Sequence, residues 1–142
     1  MTTNITTTPE QSARLLQCGV DPETADMSWR TIPCPSDNVP WSDPQLLVLP
    51  YSVAKDIYHD DYIESAWSLS ALLSLLPKEI DVNGTSARLQ MYNHPAEYWI
   101  ASYVTYNGGT LTYQNPCSAE KELIDALCSL LVWCLEKGYV KP

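Results

Sequence analysis

The sequence predicts an α+β fold in which a three-stranded antiparallel meander packs with a long C-terminal helix and two shorter helices, one N-terminal and one in the middle of the chain. Three observations carry that expectation. Between Ser118 and Lys137 apolar residues recur at helical spacing. From Ala87 to Tyr113 three runs rich in β-branched and aromatic residues are separated by turn chemistry, NHPAE and NGG. Two short amphipathic stretches, opening at Thr8 and Ser68, carry helix start signals.

A length of 142 residues suits one domain, expected over 1–142 with a flexible tail at 1–7, and suffices for a core without staples. MTTNITTT is polar, and Thr8-Pro9-Glu10-Gln11 then makes a capping box with proline at the first helical position. The helix carries Leu15 and Leu16 and stops at Gly19, with Val20 placed to fold back on Leu15. Over 21–50, Pro22, Pro33, Pro35, Pro40, Pro44 and Pro50 leave little periodicity, so this stretch is expected to be a proline-rich loop wrapping the core. Its Trp29, Trp41 and Met27 are too apolar for a plain disordered linker. Leu46–Pro50 reads as a short strand.

Ser65–Pro77 reads as the middle helix, capped by Ser68, with Leu69, Leu72, Leu73 and Leu76 forming one stripe and Pro77 ending it. After an Asn83-Gly84 turn come the meander strands Ala87–Tyr92, Tyr98–Tyr106 and Thr110–Tyr113. In the middle strand Trp99, Ala101 and Tyr103 face one way and Ile100, Ser102, Val104 and Tyr106 the other. Both faces are therefore apolar or aromatic, and two covering layers are expected. In the long helix Leu123, Ile124, Leu127, Leu130, Leu131 and Cys134 fall in a stripe about 120° wide. Ser118 is the expected N-cap and Gly138 the expected C-cap. Val132 and Trp133 project outside the stripe, so either the N-terminal segment or a partner chain is expected to cover them.

Seventeen acidic against eight basic residues give a net charge of −9, which disfavours nucleic acid and anionic membranes and favours solubility or a basic protein partner. No positively charged segment followed by an apolar run succeeds Met1, and the apolar runs are too short to span a bilayer, so a cytoplasmic protein is expected. The five cysteines, Cys18, Cys34, Cys117, Cys128 and Cys134, show neither a C-x-x-C pair nor zinc-finger spacing with His59 or His94. A reducing compartment fits them.

Few residues offer chemistry. Cys117 precedes the long helix, where the positive helix end lowers a thiol's pKa, and His94 is the candidate base for it. No third, orienting group can be named. Asp56, His59, Asp60, Asp61 and Glu64 offer oxygen and imidazole ligands within ten residues, but their spacing matches no EF-hand loop and no H-x-x-x-H pair, so a solvated acidic loop is the plainer reading. G-x-S-x-G and a glycine-rich phosphate loop are both missing from the sequence, and no cofactor is expected.

The blocks QSARLLQCGVDPETADMSW, WSLSALLSLLP, YWIASYVTYNGG and LLVWCLEKGYV, in that order, resemble a group of small proteins encoded in gut Bacteroidales genomes, phages and mobile elements. The resemblance implies a phage or mobile-element origin, an α+β fold and the cytoplasm of a bacterial host, and it carries over no catalytic residue. The leading functional expectation is a non-enzymatic acidic module that binds another protein and modulates a host factor. Its expected binding residues are Trp99, Tyr103, Tyr106 and Trp133. The alternatives are a small-molecule-binding protein or hydrolase using the 55–64 loop or the Cys117/His94 pair, and a homo-oligomeric structural protein.

Overall fold

The computed structural model describes residues 5–31, 43–58, 62–107, 109–114 and 120–141. They form an α+β fold with antiparallel sheets, one of three strands and one of four, packed as two compact units where one domain is expected from length. The first unit is Thr6–Ala71, and the second is Leu72–Pro142 together with Met1–Ile5.

The first unit opens as its capping signals dictate. Helix α1 (Pro9–Gln17) has Thr8 at its N-cap, where Thr8 Oγ1 accepts from the Gln11 amide at 3.2 Å and Gln11 Oε1 accepts from the Thr8 amide at 2.9 Å. Its C-terminal end is the expected Schellman close, with Val20 N donating to Leu15 O at 3.1 Å and both residues buried. The tail expected over 1–7 is corrected at Thr6 and Thr7, which are buried. Thr7 is tied across 60 residues to Trp67: its amide donates to Trp67 O at 2.9 Å and its Oγ1 accepts from Trp67 N at 3.1 Å.

The wrapping loop expected over 21–50 is also corrected. It contains β1 (Met27–Arg30), the centre of a three-stranded sheet with β2 (Gln45–Leu47) on one side and β3 (Ile63–Ala66) on the other. The described prolines stand at the borders of these elements: Pro22 opens a 3₁₀ turn, Pro44 precedes β2 and Pro50 precedes helix α2 (Tyr51–Ile57). Pro33, Pro35 and Pro40 lie outside the described residues. A proline count averaged over thirty residues hides the proline-free window 23–32, inside which Ser28 points inward, donating to Leu49 O at 2.9 Å. Asp26 then fixes the next helix: it accepts from the Ser68 amide at 2.9 Å and from the Ser68 hydroxyl. Ser68 Oγ in turn accepts from Ala71 N at 3.2 Å, the capping bond expected for helix α3 (Leu69–Leu75). That helix begins at Leu69, directly after the expected cap, and the leading Ser65 and Ala66 of the expected stretch belong instead to the ladder with β1.

The second unit is built on a four-stranded meander, β4 (Glu79–Val82), β5 (Thr85–His94), β6 (Tyr98–Asn107) and β7 (Thr110–Tyr113). The three expected strands are present, and β4 adds a fourth. Asn83 and Gly84, at φ 52° and 85°, form the two-residue turn that pairs Val82 with Thr85. Helix α4 (Leu123–Lys137) packs on β6 and buries Ile124, Leu127, Leu130, Leu131 and Cys134. Glu122 rather than Ser118 precedes its first turn, and Ser118 lies outside the described residues. Glu120 pairs instead with Trp99, whose amide donates to Glu120 O at 2.6 Å. Gly138, at φ 79°, ends the helix and lets Tyr139 N donate back to Cys134 O at 2.9 Å.

Candidate interaction surface

Strand alternation and register sort the second unit's side chains onto two faces. On the inner face, against α4, lie Ile80, Ala87, Tyr103, Ala101 and Thr105, all buried. Tyr103 is 0% exposed and its hydroxyl donates to Pro77 O at 2.6 Å. Burial pushes its phenol above the usual range, and neighbouring Cys134 adds to the effect. Burial likewise pushes the Cys134 thiol up to about 11, against an opposing hydrogen bond with Tyr103. A thiol held protonated in this way is a poor nucleophile.

The surface role expected for Tyr103 is therefore corrected: a side chain without exposure offers nothing to a partner. Trp99 lies on the same inner face and is half-buried. Trp133 is also half-buried, with its ring between Tyr103 at 6.4 Å and Tyr139 at 5.2 Å. The Gly138 turn brings Tyr139 onto it, a cover other than the N-terminal segment or partner chain expected from the sequence. Of the four expected partner-binding residues, only Tyr106 stands on the outer face, where it is 74% exposed.

The outer face holds residues that the sequence reading did not single out. Tyr106 is directly opposite Leu111, 36% exposed, and Tyr113, 43% exposed, lies next along the same face. Tyr92, 40% exposed, is opposite the half-buried Ile100. Ser102 and Val104, on the same face, are buried, so both faces of the middle strand are covered at its centre. The outer face nevertheless leaves an aromatic and aliphatic band in solvent, with Glu79, Asp81 and Arg88 along its β4 side. Period-2 counting through the register 92↔100, 106↔111 and 104↔113 is the signal that finds this band.

Among the described residues, His94, Asp56 and Glu64 do not form a common site. The His94 ring stacks on Tyr98 at 4.4 Å and its Nδ1 accepts from Ala96 N at 3.1 Å, while Cys117 lies outside the described residues. Asp56 sits exposed on α2 and Glu64 exposed on β3, opposite Trp29. His59, Asp60 and Asp61 lie outside the described residues, among which no group of three or more His, Cys, Asp or Glu could hold a metal ion. A shallow depression of about 260 Å³ beside the β4–β5 turn is lined by Glu79, Ile80, Asp81, Gly84 and Ser86, none of them a candidate catalytic or metal-binding group. No helix among the described residues is long and apolar enough to cross a membrane.

No protein-family model, curated protein or solved structure matches the chain.

Proposed function

We propose that the chain is a non-enzymatic interaction module that docks the outer face of its four-stranded sheet on a basic surface of another protein. One observation supports this reading: Tyr92, Tyr106, Leu111 and Tyr113 share one solvent-facing side of the sheet on a chain of net charge −9. Aromatic side chains with an apolar body and a polar tip are the residues that dominate protein interfaces, and such side chains left in water on one face mark a site of this kind. The net charge of −9 attracts a positively charged partner and repels nucleic acid. The setting implied by the resemblance is a phage or mobile-element accessory protein that modulates a host factor in the bacterial cytoplasm.

The test is capture from bacterial host extract at physiological salt, followed by reconstitution with the purified partner and affinity measurement. A basic partner whose affinity falls as salt rises, and falls at least tenfold with Tyr106→Glu at unchanged melting temperature, supports the reading. An acidic partner, or one that binds parent and variant alike, sinks it.

A further inference from the structure

The two edges of the four-stranded sheet differ in kind. The β4 edge, Glu79–Val82, carries two carboxylates, and charge of this sort keeps a sheet edge from pairing with other chains. The β7 edge, Thr110-Leu111-Thr112-Tyr113, carries no charge and no proline, is built from strand-favouring residues, and is exposed along its whole length.

The hydrogen-bond phase of β7 is fixed by Gln114 N, which donates to Tyr103 O at 2.8 Å. In an antiparallel ladder alternate residues bond to the same neighbour, so Thr112 and Thr110 point their backbone groups at β6. Leu111 and Tyr113 therefore point their N–H and C=O groups away from the sheet.

We propose that this edge pairs with the same edge of a second copy of the chain, antiparallel, with Thr112 opposite Thr112 and Leu111 opposite Tyr113 of the other copy. That register is self-complementary. Each outward N–H meets an outward C=O, giving four hydrogen bonds about a two-fold axis, and each Leu111 packs beside a Tyr113 on the outer face. The sheets join into one of eight strands, in the order β4-β5-β6-β7-β7-β6-β5-β4. The outer bands of both copies then lie side by side on one face, as an isologous contact requires. Both copies carry a charge of −9, so the contact tightens as salt screens their repulsion, the opposite of the salt response expected for a basic partner.

The register predicts its own test. Thr112 and its counterpart form a non-hydrogen-bonded pair with Cα atoms about 4.5 Å apart, within the span of a disulfide. Under mild oxidation Thr112→Cys should give a covalent dimer on a non-reducing gel, while the parent, with its five cysteines, and Thr110→Cys should not. Sedimentation of the parent between about 1 and 100 μM should show a dimer that strengthens from 0.1 to about 0.5 M salt. Leu111→Pro, which removes an outward N–H and no bond of the sheet itself, should raise the dimer dissociation constant at least tenfold while Leu111→Val does not. Hydrogen exchange over β6 checks that the proline variant keeps its sheet. A parent that is monomeric at about 100 μM, a dimer weakened by salt, or equal cross-linking by Thr112→Cys and Thr110→Cys overturns the proposal. A monomeric parent would leave the edge to a strand of some other protein. Loss of the dimer does not touch the Tyr106→Glu measurement, so the two readings fail separately.

Discussion

Replacing Thr7 by valine asks whether the start of the chain belongs to the fold. The substitution keeps the branched shape and removes only a hydroxyl. That hydroxyl is fully buried, accepts from the Trp67 amide at 3.1 Å and shares a hydrogen bond of 2.8 Å with Ser12. The Ser12 hydroxyl can turn toward a backbone carbonyl of its own helix, but the Trp67 amide is fixed in the interior and cannot. Leaving one such donor without an acceptor costs roughly 1–3 kcal/mol, and the added methyl returns less than about 1 kcal/mol. A net loss of about 1–2 kcal/mol, divided by a urea m-value of about 2 kcal/mol/M, lowers the midpoint by about 0.5–1 M. Tryptophan fluorescence is a suitable probe, because the Trp29 indole N–H donates to Thr7 O at 2.8 Å. Thr7→Ser keeps the hydroxyl and loses a methyl, so it should cost about half as much. A Thr7→Val midpoint within about 0.2 M of the parent at the same m-value, the behaviour of a residue on a flexible tail, would refute the reasoning.

Asp26→Ala removes the acceptor of both the Ser68 amide and the Ser68 hydroxyl, and should cost roughly 1–3 kcal/mol and lower the melting temperature by about 5 °C. Asp26→Asn, which keeps one acceptor, should lose less, and equal melting of Asp26→Ala and parent would show that the pair is idle. Cys134 gives a pH signature. Its ordinary pKa of 9.0 is raised to about 11 by burial, so between those values the unfolded chain has released a proton that the folded chain still holds. Stability contributed by the thiol is therefore complete below pH 9 and is lost as pH rises toward 11. The difference in urea midpoint between parent and Cys134→Val should shrink or reverse across that window, and a difference constant with pH would contradict the burial.

The sequence was most legible where local chemistry decides the structure. Thr8-Pro9-Glu10-Gln11, Gly138 and the 3.6-residue stripe of the last helix each act within a few residues, and each appears where expected. It was least legible where distant residues decide. Met27–Arg30 becomes a central strand only because Leu46 and Glu64 lie beside it, pairings 17 and 35 residues away that no local pattern reveals. Asn83-Gly84 signals a turn but not the strand before it, because EIDV mixes charge with apolar residues as an edge strand does. Tyr103 and Tyr106 are three positions apart on one strand, so alternation alone separates their faces. Which face would be wet depended on where α4 packs, and that is a tertiary fact. The band on the outer face became visible only once the register set Leu111 and Tyr113 beside Tyr106.

The bond between Thr7 and Trp67 also bears on how the chain assembles. Contacts that span sixty residues close a long loop before they return any stabilisation, which slows folding. As the chain leaves the ribosome, Thr7 can find its partner only after Trp67 has emerged, so α1 waits with one end unanchored. The meander from β4 to β7 needs no such wait, because each strand pairs with the one synthesised just before it. The segment made first therefore completes its structure late, and the hairpins that follow can zip as they appear.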